Sequence, residues 1–311
     1  MIKDKSSTLQ CENVTQEEKI MAYEITGHTV LTGLLGSPVA HSISPLMHNE
    51  SFRLLGLDYV YLCFDVNEET LPAAVAGLKT CGIRGFNLTM PNKNKIVELL
   101  DELSPEAQLI GAVNTVLNDN GKLIGYNTDG YGFMQSVRDA GHDITGKNIT
   151  VMGVGGASMA ICAQSALDGA ASVHIFARRT SRYWNRTQKF AENLSAKTGC
   201  QVCLFDNDDH TALRDSIAQS YLLINATSVG MVPDIDDTII KDTSLFHPEL
   251  VVADVVYEPQ ETRLLREAKA AGCQTFNGMY MLLHQGAKAF QIWTGQEMPV
   301  SVIKEKYFSV K

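Results

Sequence analysis

The feature that most constrains the fold is a short apolar strand followed by a glycine-rich turn and a helix. Residues 148–152 are predominantly apolar and lead directly into Gly153-Val154-Gly155-Gly156-Ala157, after which a helical pattern continues to Asp168. Gly153 permits a tight turn, Gly155 lets backbone amides approach a pyrophosphate, and the helix presents its positive end to the anion. The pattern predicts a doubly wound, Rossmann-type dinucleotide-binding domain, with a ligand-free tight turn as the alternative.

Strands and helices alternate over the rest of the chain, which predicts a mostly parallel α/β fold. Because 311 residues are many for one core, we expect two domains. The boundaries predicted are an N-terminal extension at 1–28, an α/β substrate domain at 29–130 completed by C-terminal helices at 279–311, and a dinucleotide-binding domain at 131–278. Within the substrate domain, residues 95–103 are predicted to form a helix.

Charge and composition exclude several classes of protein. The net charge of −9 argues against a nucleic-acid partner, which would require a basic face. No run approaches the roughly 18 apolar residues of a membrane span, and the N-terminus lacks an apolar signal core, so we expect a cytoplasmic protein. The seven scattered cysteines fit reduced thiols. Cys200 and Cys203 fit a strand better than a metal site, and no metal is expected.

The second strand of the dinucleotide-binding pattern bears on the choice of cofactor. NAD-binding sites usually place Asp or Glu at its end to hold the ribose 2′-hydroxyl. Here residues 177–182 read Ala-Arg-Arg-Thr-Ser-Arg. Guanidinium groups suit a 2′-phosphate, so the sequence favours NADP and leaves NAD open. The alternative is a solvated basic loop at the start of a helix.

Polar residues follow the strands of the first domain at the edge where open α/β sheets bind ligands. Ser42 and Ser44 lie on one side of an extended segment before a helix, where they could cap the helix or hold a carboxylate. Lys93 lies on a turn that Pro91 stiffens, and Asp129 lies at the predicted domain junction. Gly130 and Gly132 at that junction suggest either a hinge or a turn.

Several motifs in one order resemble the shikimate dehydrogenase family. The motifs, from residue 33 onward, are G-x-P-x-x-H-S-x-S-P-x-x-H-N at 36–49, N-x-T-x-P-x-K at 87–93, G-A-V-N-T at 111–115, N-T-D-x-x-G at 127–132, the glycine turn, N-A-T-S-V-G-M at 225–231 and Q-G-A at 285–287. The order makes the resemblance far more specific than any one motif.

The resemblance implies a role for individual residues. Lys93 and Asp129 would be the catalytic pair. The residues implied to hold the substrate are Ser42, Ser44, Thr89, Asn114, Asp129, Gln285 and, as a further candidate, Tyr257. The residues implied to line the cofactor are Gly153, Val154, Gly155, Gly156, Ala157, Ala177, Arg178, Arg179, Arg182, Thr227, Val255 and Gly278.

The reaction that the resemblance implies is the reversible reduction of 3-dehydroshikimate to shikimate by NADPH or NADH. Lys93 would transfer the proton while Asp129 orients it; alternatively, Lys93 stabilises the developing alkoxide electrostatically. NADP-dependent members commonly read Asn-Arg-Thr where this chain has Ala177 and Arg179 at the first and third positions. Quinate dehydrogenase activity, or a dual activity with NAD, is therefore the alternative.

The same residues bear on other classes of protein and on the partners of this one. A dinucleotide-binding sensor without catalysis would need neither Lys93 nor Asp129, so their presence disfavours it. A two-domain dehydrogenase acting on a folate is disfavoured by the paired serines and Gln285. The expected partner is a small-molecule substrate, and the assembly considered is a homodimer.

Overall fold

Two six-stranded sheets organise the part of the chain that the computed structural model describes, residues 24–308. The predicted N-terminal extension lies outside the described residues except for 24–28. The strands are β1 Val30–Gly36, β2 Tyr59–Asp65, β3 Gly85–Leu88, β4 Glu102–Leu103, β5 Thr115–Asp119, β6 Lys122–Tyr126, β7 Asn148–Met152, β8 Ser172–Ala177, β9 Gln201–Asp206, β10 Leu222–Asn225, β11 Val251–Asp254 and β12 Gln274–Asn277.

The helices alternate with these strands as the sequence predicts. They are α1 Ser44–Leu55, α2 Leu71–Thr80, α3 Pro105–Ile110, α4 Asp129–Asp139, α5 Gly156–Leu167, α6 Trp184–Thr198, α7 His210–Gln219, α8 Arg263–Ala270, α9 Met279–Thr294 and α10 Val300–Tyr307. None of the helices in this part of the chain has the length and apolar character needed to cross a membrane.

The second sheet has the strand order that defines a Rossmann-type domain. Its order is β12-β11-β10-β7-β8-β9, and every neighbouring pair is parallel. Numbered from the glycine-turn strand, this is the 3-2-1-4-5-6 order whose reversal creates a crevice beside the first strand. The α/β fold class predicted from the sequence is confirmed.

The first sheet is mixed, with order β2-β1-β3-β5-β6-β4. Strand β1 pairs in parallel with β2 and β3, while β5 is antiparallel to both β3 and β6. Side chains of α9 and α10, including Leu283, Phe290 and Ile303, pack in one buried cluster with Leu34 and Phe52. The C-terminal helices therefore cover the first sheet. This arrangement supports domain boundaries at residues 130 and 278, which remain a prediction.

The predicted helix at 95–103 is wrong in its second half. Residues Lys95–Leu99 form one 3-10 helix, and Glu102–Leu103 instead pair with β6 as strand β4. The Asp101 carboxylate accepts a hydrogen bond from the backbone N–H of Leu123 at 2.7 Å. Pairing with a distant strand outweighs the local helical pattern here, because tertiary contacts often outweigh the intrinsic helix propensity of a short segment.

Gly130 and Gly132 are neither a hinge nor a turn, because both lie inside α4. A Cβ atom at Gly130 would overlap the Ala160 carbonyl of α5. A Cβ atom at Gly132 would lie 2.6 Å from the Met281 carbonyl oxygen of α9. The two glycines therefore let α4 pack closely against a helix of the second sheet and against the helix that covers the first.

His48 is a buried residue of α1 with no hydrogen-bond partner among residues 24–308 for either ring nitrogen. Its ring stacks on Tyr61 at a centroid distance of 4.4 Å and lies beside Trp293 at 5.3 Å. Burial lowers the pKa of His48 to about 3. The folded protein therefore holds this imidazole neutral at every pH above that value.

We predict that His48→Phe removes part of the acid sensitivity of folding. The folded pKa lies below the unfolded one, so stability is fully present above about pH 6.5 and is lost as the pH falls towards 3. Between pH 7 and pH 5 the wild type should lose about 2 kcal/mol more free energy of unfolding than the variant. Urea unfolding at both pH values measures this. Equal losses in the two proteins would contradict the prediction.

Candidate active site

Lys93 and Asp129 form an ion pair where the two sheets meet. The Lys93 Nζ lies 2.6 Å from the Asp129 Oδ2, and the side chains are 28% and 9% exposed, respectively. Lys93 lies on the turn after β3, and Asp129 is the first residue of α4. The pair is therefore shielded on the carboxylate side and open to a ligand on the ammonium side.

Asn114 holds the carboxylate of this pair. Its Nδ2 donates to the Asp129 Oδ1 at 2.7 Å and lies 3.4 Å from the Gln285 Oε1. Its Oδ1 accepts the backbone N–H of Thr128 at 2.8 Å. Asn114 is 2% exposed. One carboxamide thus links the start of α4 with α9 and fixes the orientation of the Asp129 carboxylate.

Backbone hydrogen bonds attach the lysine turn and the Asn114 segment to each other. The Val113 N–H donates to the Lys93 carbonyl at 2.8 Å, and the Leu88 N–H donates to the Asn114 carbonyl at 2.8 Å. The Asn127 Oδ1 accepts the Asp129 N–H at 3.2 Å. The motifs that contain these residues are therefore one connected unit, where β3 and β6 end and the antiparallel β5 begins.

Three residues that we did not predict belong to this network. The Asn87 Nδ2 donates to the Asn114 carbonyl at 3.1 Å, and the Asn87 Oδ1 accepts the Tyr61 hydroxyl at 2.8 Å. The Thr128 hydroxyl lies 3.0 Å from the Asn114 Nδ2. Asn87 and Thr128 lie within the motifs at 87–93 and 127–132, so the sequence could have identified them as site residues. Tyr61 lies on β2, outside every motif, and carries no such signal.

The paired serines lie against β2. Burial raises the pKa of Cys63, as it does that of Tyr61, and the Ser42 and Ser44 hydroxyls, respectively, oppose part of this rise. The Ser44 N–H donates to the Ser42 Oγ at 3.2 Å. Neither serine is the N-cap residue of α1, which is Ile43, and the only free N–H of the helix start that either accepts is that of Ser44, through the Ser42 Oγ. Burial raises the pKa of Tyr61 well above its ordinary value, so its hydroxyl remains a donor.

The remaining residues predicted to hold substrate lie around the same edge. Thr89 follows β3 and is half-buried, and its N–H donates to the Leu35 carbonyl at 3.1 Å. Gln285 is half-buried on α9, beside Asn114. Tyr257 is 39% exposed and lies on the second sheet, after β11. The structure thus brings Lys93, Asn114, Asp129 and Gln285 into hydrogen-bond contact, whereas Tyr257 makes no hydrogen bond to these four residues.

The glycine turn has room for an anion. Gly153 has φ of 111°, a conformation that favours glycine, and a Cβ there would lie 2.8 Å from the Thr227 methyl. Around Gly155 and Gly156, by contrast, a Cβ would meet nothing within 4 Å. That open space lies at the N-terminus of α5, where backbone N–H groups and the helix dipole attract phosphate. These residues therefore fit a dinucleotide pyrophosphate.

Residues 177–182, the arginine tip, lie at the end of β8. Ala177 is buried, whereas Arg178, Arg179 and Arg182 are exposed. The Arg179 guanidinium lies 4.6 Å from the Trp184 ring centroid, and the Arg182 guanidinium 4.7 Å from that of Tyr183. Stacking on aromatic faces reduces the freedom of both guanidiniums, so they are partly preorganised to meet an anion.

A buried network supports the loops that follow β10 and β11. The Asn225 Oδ1 accepts the Thr227 hydroxyl at 2.6 Å, and its Nδ2 donates to the Asp254 Oδ1 at 3.0 Å. Burial raises the pKa of Asp254. A Cβ at Gly278 would overlap the Val255 carbonyl. The backbone that follows β12 therefore packs directly on the loop that follows β11.

A cavity lies between these two loops. Its volume is about 360 Å³, and it is lined by Thr227, Ser228, Met231, Val232, Val255, Val256, Tyr257 and Glu258. Burial raises the pKa of Tyr257. The cavity opens at the carboxyl edge of the second sheet, where doubly wound sheets bind their ligands.

Residues 24–308 contain no group of three His, Cys, Asp or Glu side chains placed to hold a metal ion. Cys200 and Cys203 are both free thiols. A Rossmann-type sheet with an open glycine turn, next to a lysine–aspartate pair whose carboxylate is buried and whose ammonium is accessible, defines a dinucleotide-dependent oxidoreductase acting on a CH–OH group.

Comparisons with known proteins identify the family. The model of the shikimate dehydrogenase substrate binding domain matches residues 34–116, and that of the shikimate 5'-dehydrogenase C-terminal domain matches residues 278–306. The shikimate dehydrogenase (NADP(+)) of Listeria innocua is 52% identical over 91% of this chain and 97% of its own length. That of Streptococcus pyogenes is 49% identical over 91% and 98%. The chain belongs to the shikimate dehydrogenase family.

Solved structures agree with this assignment. Shikimate 5-dehydrogenase of Listeria monocytogenes, solved with shikimate and NAD, has a TM-score of 0.88 at 52% identity and covers 90% of this chain and 97% of its own. Quinate dehydrogenase of Corynebacterium glutamicum, solved with NAD, has a TM-score of 0.80 at 31% identity, covering 91% and 99%. The resemblance inferred from the motifs is confirmed, and a folate-acting enzyme is not supported.

Proposed function

We propose that this protein catalyses the reversible oxidation of shikimate to 3-dehydroshikimate, with NADP as its cofactor and NAD as the weaker alternative. The observation that carries the proposal is the 2.6 Å contact of Lys93 with Asp129, held by Asn114. The relatives named above as shikimate dehydrogenase (NADP(+)) support both the substrate and the cofactor. Quinate dehydrogenase is a more distant relative, which makes quinate the second candidate.

The substrate would lie over the carboxyl edge of the first sheet. The hydroxyls of Ser42 and Ser44 would hold the ring carboxylate. Thr89, Asn114, Asp129 and Gln285 would hold the ring hydroxyls, and Tyr257 would approach from the second sheet. Fixing a polyhydroxylated ring through several directional hydrogen bonds holds its reacting carbon in one orientation.

The cofactor would lie along the carboxyl edge of the second sheet. The N-terminus of α5 at 153–157 would hold the pyrophosphate, the arginine tip a 2′-phosphate, and Thr227, Val255 and Gly278 the nicotinamide end. When bound, the nicotinamide supplies or accepts the hydride. The absence of a carboxylate at residues 177–182 removes the usual partner of an unphosphorylated ribose, which supports NADP over NAD.

Lys93 and Asp129 would move the proton that accompanies the hydride. In the direction of reduction, the carbonyl carbon gains the hydride while the Lys93 ammonium gives one proton to the carbonyl oxygen, forming the hydroxyl. In the direction of oxidation, neutral Lys93 takes the hydroxyl proton as the carbinol carbon loses its hydride. Asp129, oriented by Asn114, keeps the Lys93 Nζ in place throughout. A purely electrostatic Lys93 is the alternative mechanism.

The setting of the enzyme also remains a proposal. We place it in the cytoplasm, because seven scattered cysteines suit a reducing compartment. We expect only small-molecule ligands, since the net charge of −9 opposes nucleic-acid binding. A homodimer stays a prediction.

Replacement of the proposed proton donor should separate catalysis from binding. In Lys93→Met we expect kcat to fall by about 10³-fold, the size of a lost general acid–base, while the Kd of shikimate changes far less. Steady-state rates and equilibrium binding measure the two quantities. Lys95→Met, two residues away and on the surface, should leave kcat unchanged. Near-normal turnover of Lys93→Met would contradict both roles considered for Lys93.

The choice of substrate and cofactor is tested by four initial rates, measured by cofactor reduction with shikimate or quinate, each with NADP or NAD. We expect shikimate with NADP to give the highest kcat/KM. The arginine tip should account for the cofactor preference. Arg178→Ala should therefore raise the KM for NADP more than the KM for NAD. Comparable turnover of quinate, or a preference for NAD, would instead indicate the dual quinate/shikimate activity.

A further inference from the structure

The guanidinium group of Arg186, on helix α6 beside the second sheet, contacts two segments of the first domain close to the lysine turn. Arg186, in the first turn of α6, donates through Nη2 to the Ile110 carbonyl at 3.2 Å and the Gly111 carbonyl at 3.4 Å. The same atom lies 3.5 Å from the Asn94 Oδ1. Arg186 follows the arginine tip by only four residues. One side chain therefore connects α6, the helix that follows the arginine tip, with the end of α3 and the lysine turn.

The acceptors of Arg186 are well suited to a cation. Helix α3 ends at Ile110, and Gly111 ends it in the left-handed conformation with φ of 67°. The last carbonyls of a helix have no partner in the next turn and carry the negative end of the helix dipole. A guanidinium can donate several hydrogen bonds from one plane, so it can satisfy two such carbonyls at once.

The segments that Arg186 touches are those that carry the proposed catalytic residues. Asn94 is the neighbour of Lys93, and Gly111 lies three residues before Asn114. The hydrogen bond from Val113 to the Lys93 carbonyl joins the two segments. A displacement of either segment would therefore move Lys93 and Asn114 together.

We propose that Arg186 is a positioning residue that fixes the lysine turn relative to the dinucleotide-binding sheet, an inference that rests on the proposed function. Helix α4 already joins the two sheets near Asp129 through the close packing at Gly130 and Gly132. On the side of the arginine tip, Ile110 and Ala112 pack in the apolar cluster of the second sheet, and Arg186 adds directional hydrogen bonds to this contact. Apolar packing leaves small sliding displacements cheap, whereas hydrogen bonds from one guanidinium to fixed carbonyls oppose them.

This role predicts a specific division between binding and turnover. Each ligand site lies mainly within one sheet, so neither site alone needs Arg186. Hydride transfer requires the two sites in one relative orientation, and displacements of about 1 Å at reacting atoms can cost up to 10²-fold in rate. Loss of Arg186 should therefore lower kcat while leaving each ligand's own affinity in place.

The test replaces Arg186 with Met, which keeps the length of the stem and removes every donor. We expect kcat for shikimate oxidation to fall roughly tenfold, while the Kd of shikimate alone and of NADP alone each change less than about twofold. Arg186→Lys, which keeps a donor, should recover part of kcat. Lys189→Met is the matched control, because it removes a charge from an exposed position of the same helix and should leave kcat unchanged.

Two results would overturn the proposal. Either kcat remains at the wild-type value, or the Kd of one ligand rises as much as kcat falls, which would make Arg186 a binding residue. If circular dichroism shows that Arg186→Met is unfolded, Arg186→Gln is measured in the same way and decides. A wild type that does not oxidise shikimate overturns the proposed function as well, whereas an active wild type with an unaffected variant overturns only the role of Arg186.

Discussion

The hydrogen bond from Asn114 to Asp129 is the contact on which the rest of the site depends. It joins a buried amide to a buried carboxylate at 2.7 Å, and bonds to charged groups contribute about 1.5–3 kcal/mol. Because the same amide lies near Gln285 and its oxygen holds the Thr128 N–H, three segments from different parts of the chain meet there. Asp129 can then present its second oxygen to Lys93 in one orientation.

Helix α4 transmits this constraint to both sheets. It begins at Asp129 and packs so closely against α5 and α9 that only glycine fits at 130 and 132. The start of α4 is consequently fixed with respect to the dinucleotide-binding sheet and to the helices that cover the first sheet. A carboxylate on a mobile loop between the sheets would not be held in one position relative to both. The cost is that the two positions tolerate no side chain.

Much of this architecture follows from local patterns. The glycine turn between β7 and α5 predicted the Rossmann-type sheet, because the turn, the anion site and the helix are consecutive in sequence. Lys93 and Asp129 were found through motifs, although only the family resemblance joined them, since they are 36 residues apart. The roles assigned to individual residues remain predictions.

Features that depend on distant contacts could not be predicted. Strand β4 forms where a helix was expected because Glu102 and Leu103 pair with β6. The sequence suggests a hinge or a turn at Gly130 and Gly132, because it does not show which helices pack against α4. Tyr61 and Arg186 belong to no motif, and each acts through partners far away in sequence. In each case the missing information is tertiary contact rather than propensity.

The central claim is that Lys93 and Asp129 act as one unit. A double-mutant cycle on kcat with Lys93→Met, Asp129→Asn and the double variant tests it most directly. If the two residues share one function, the double variant should lose no more than the more damaging single substitution, as observed for residues that act together. Losses that multiply would show two independent contributions and would contradict the account.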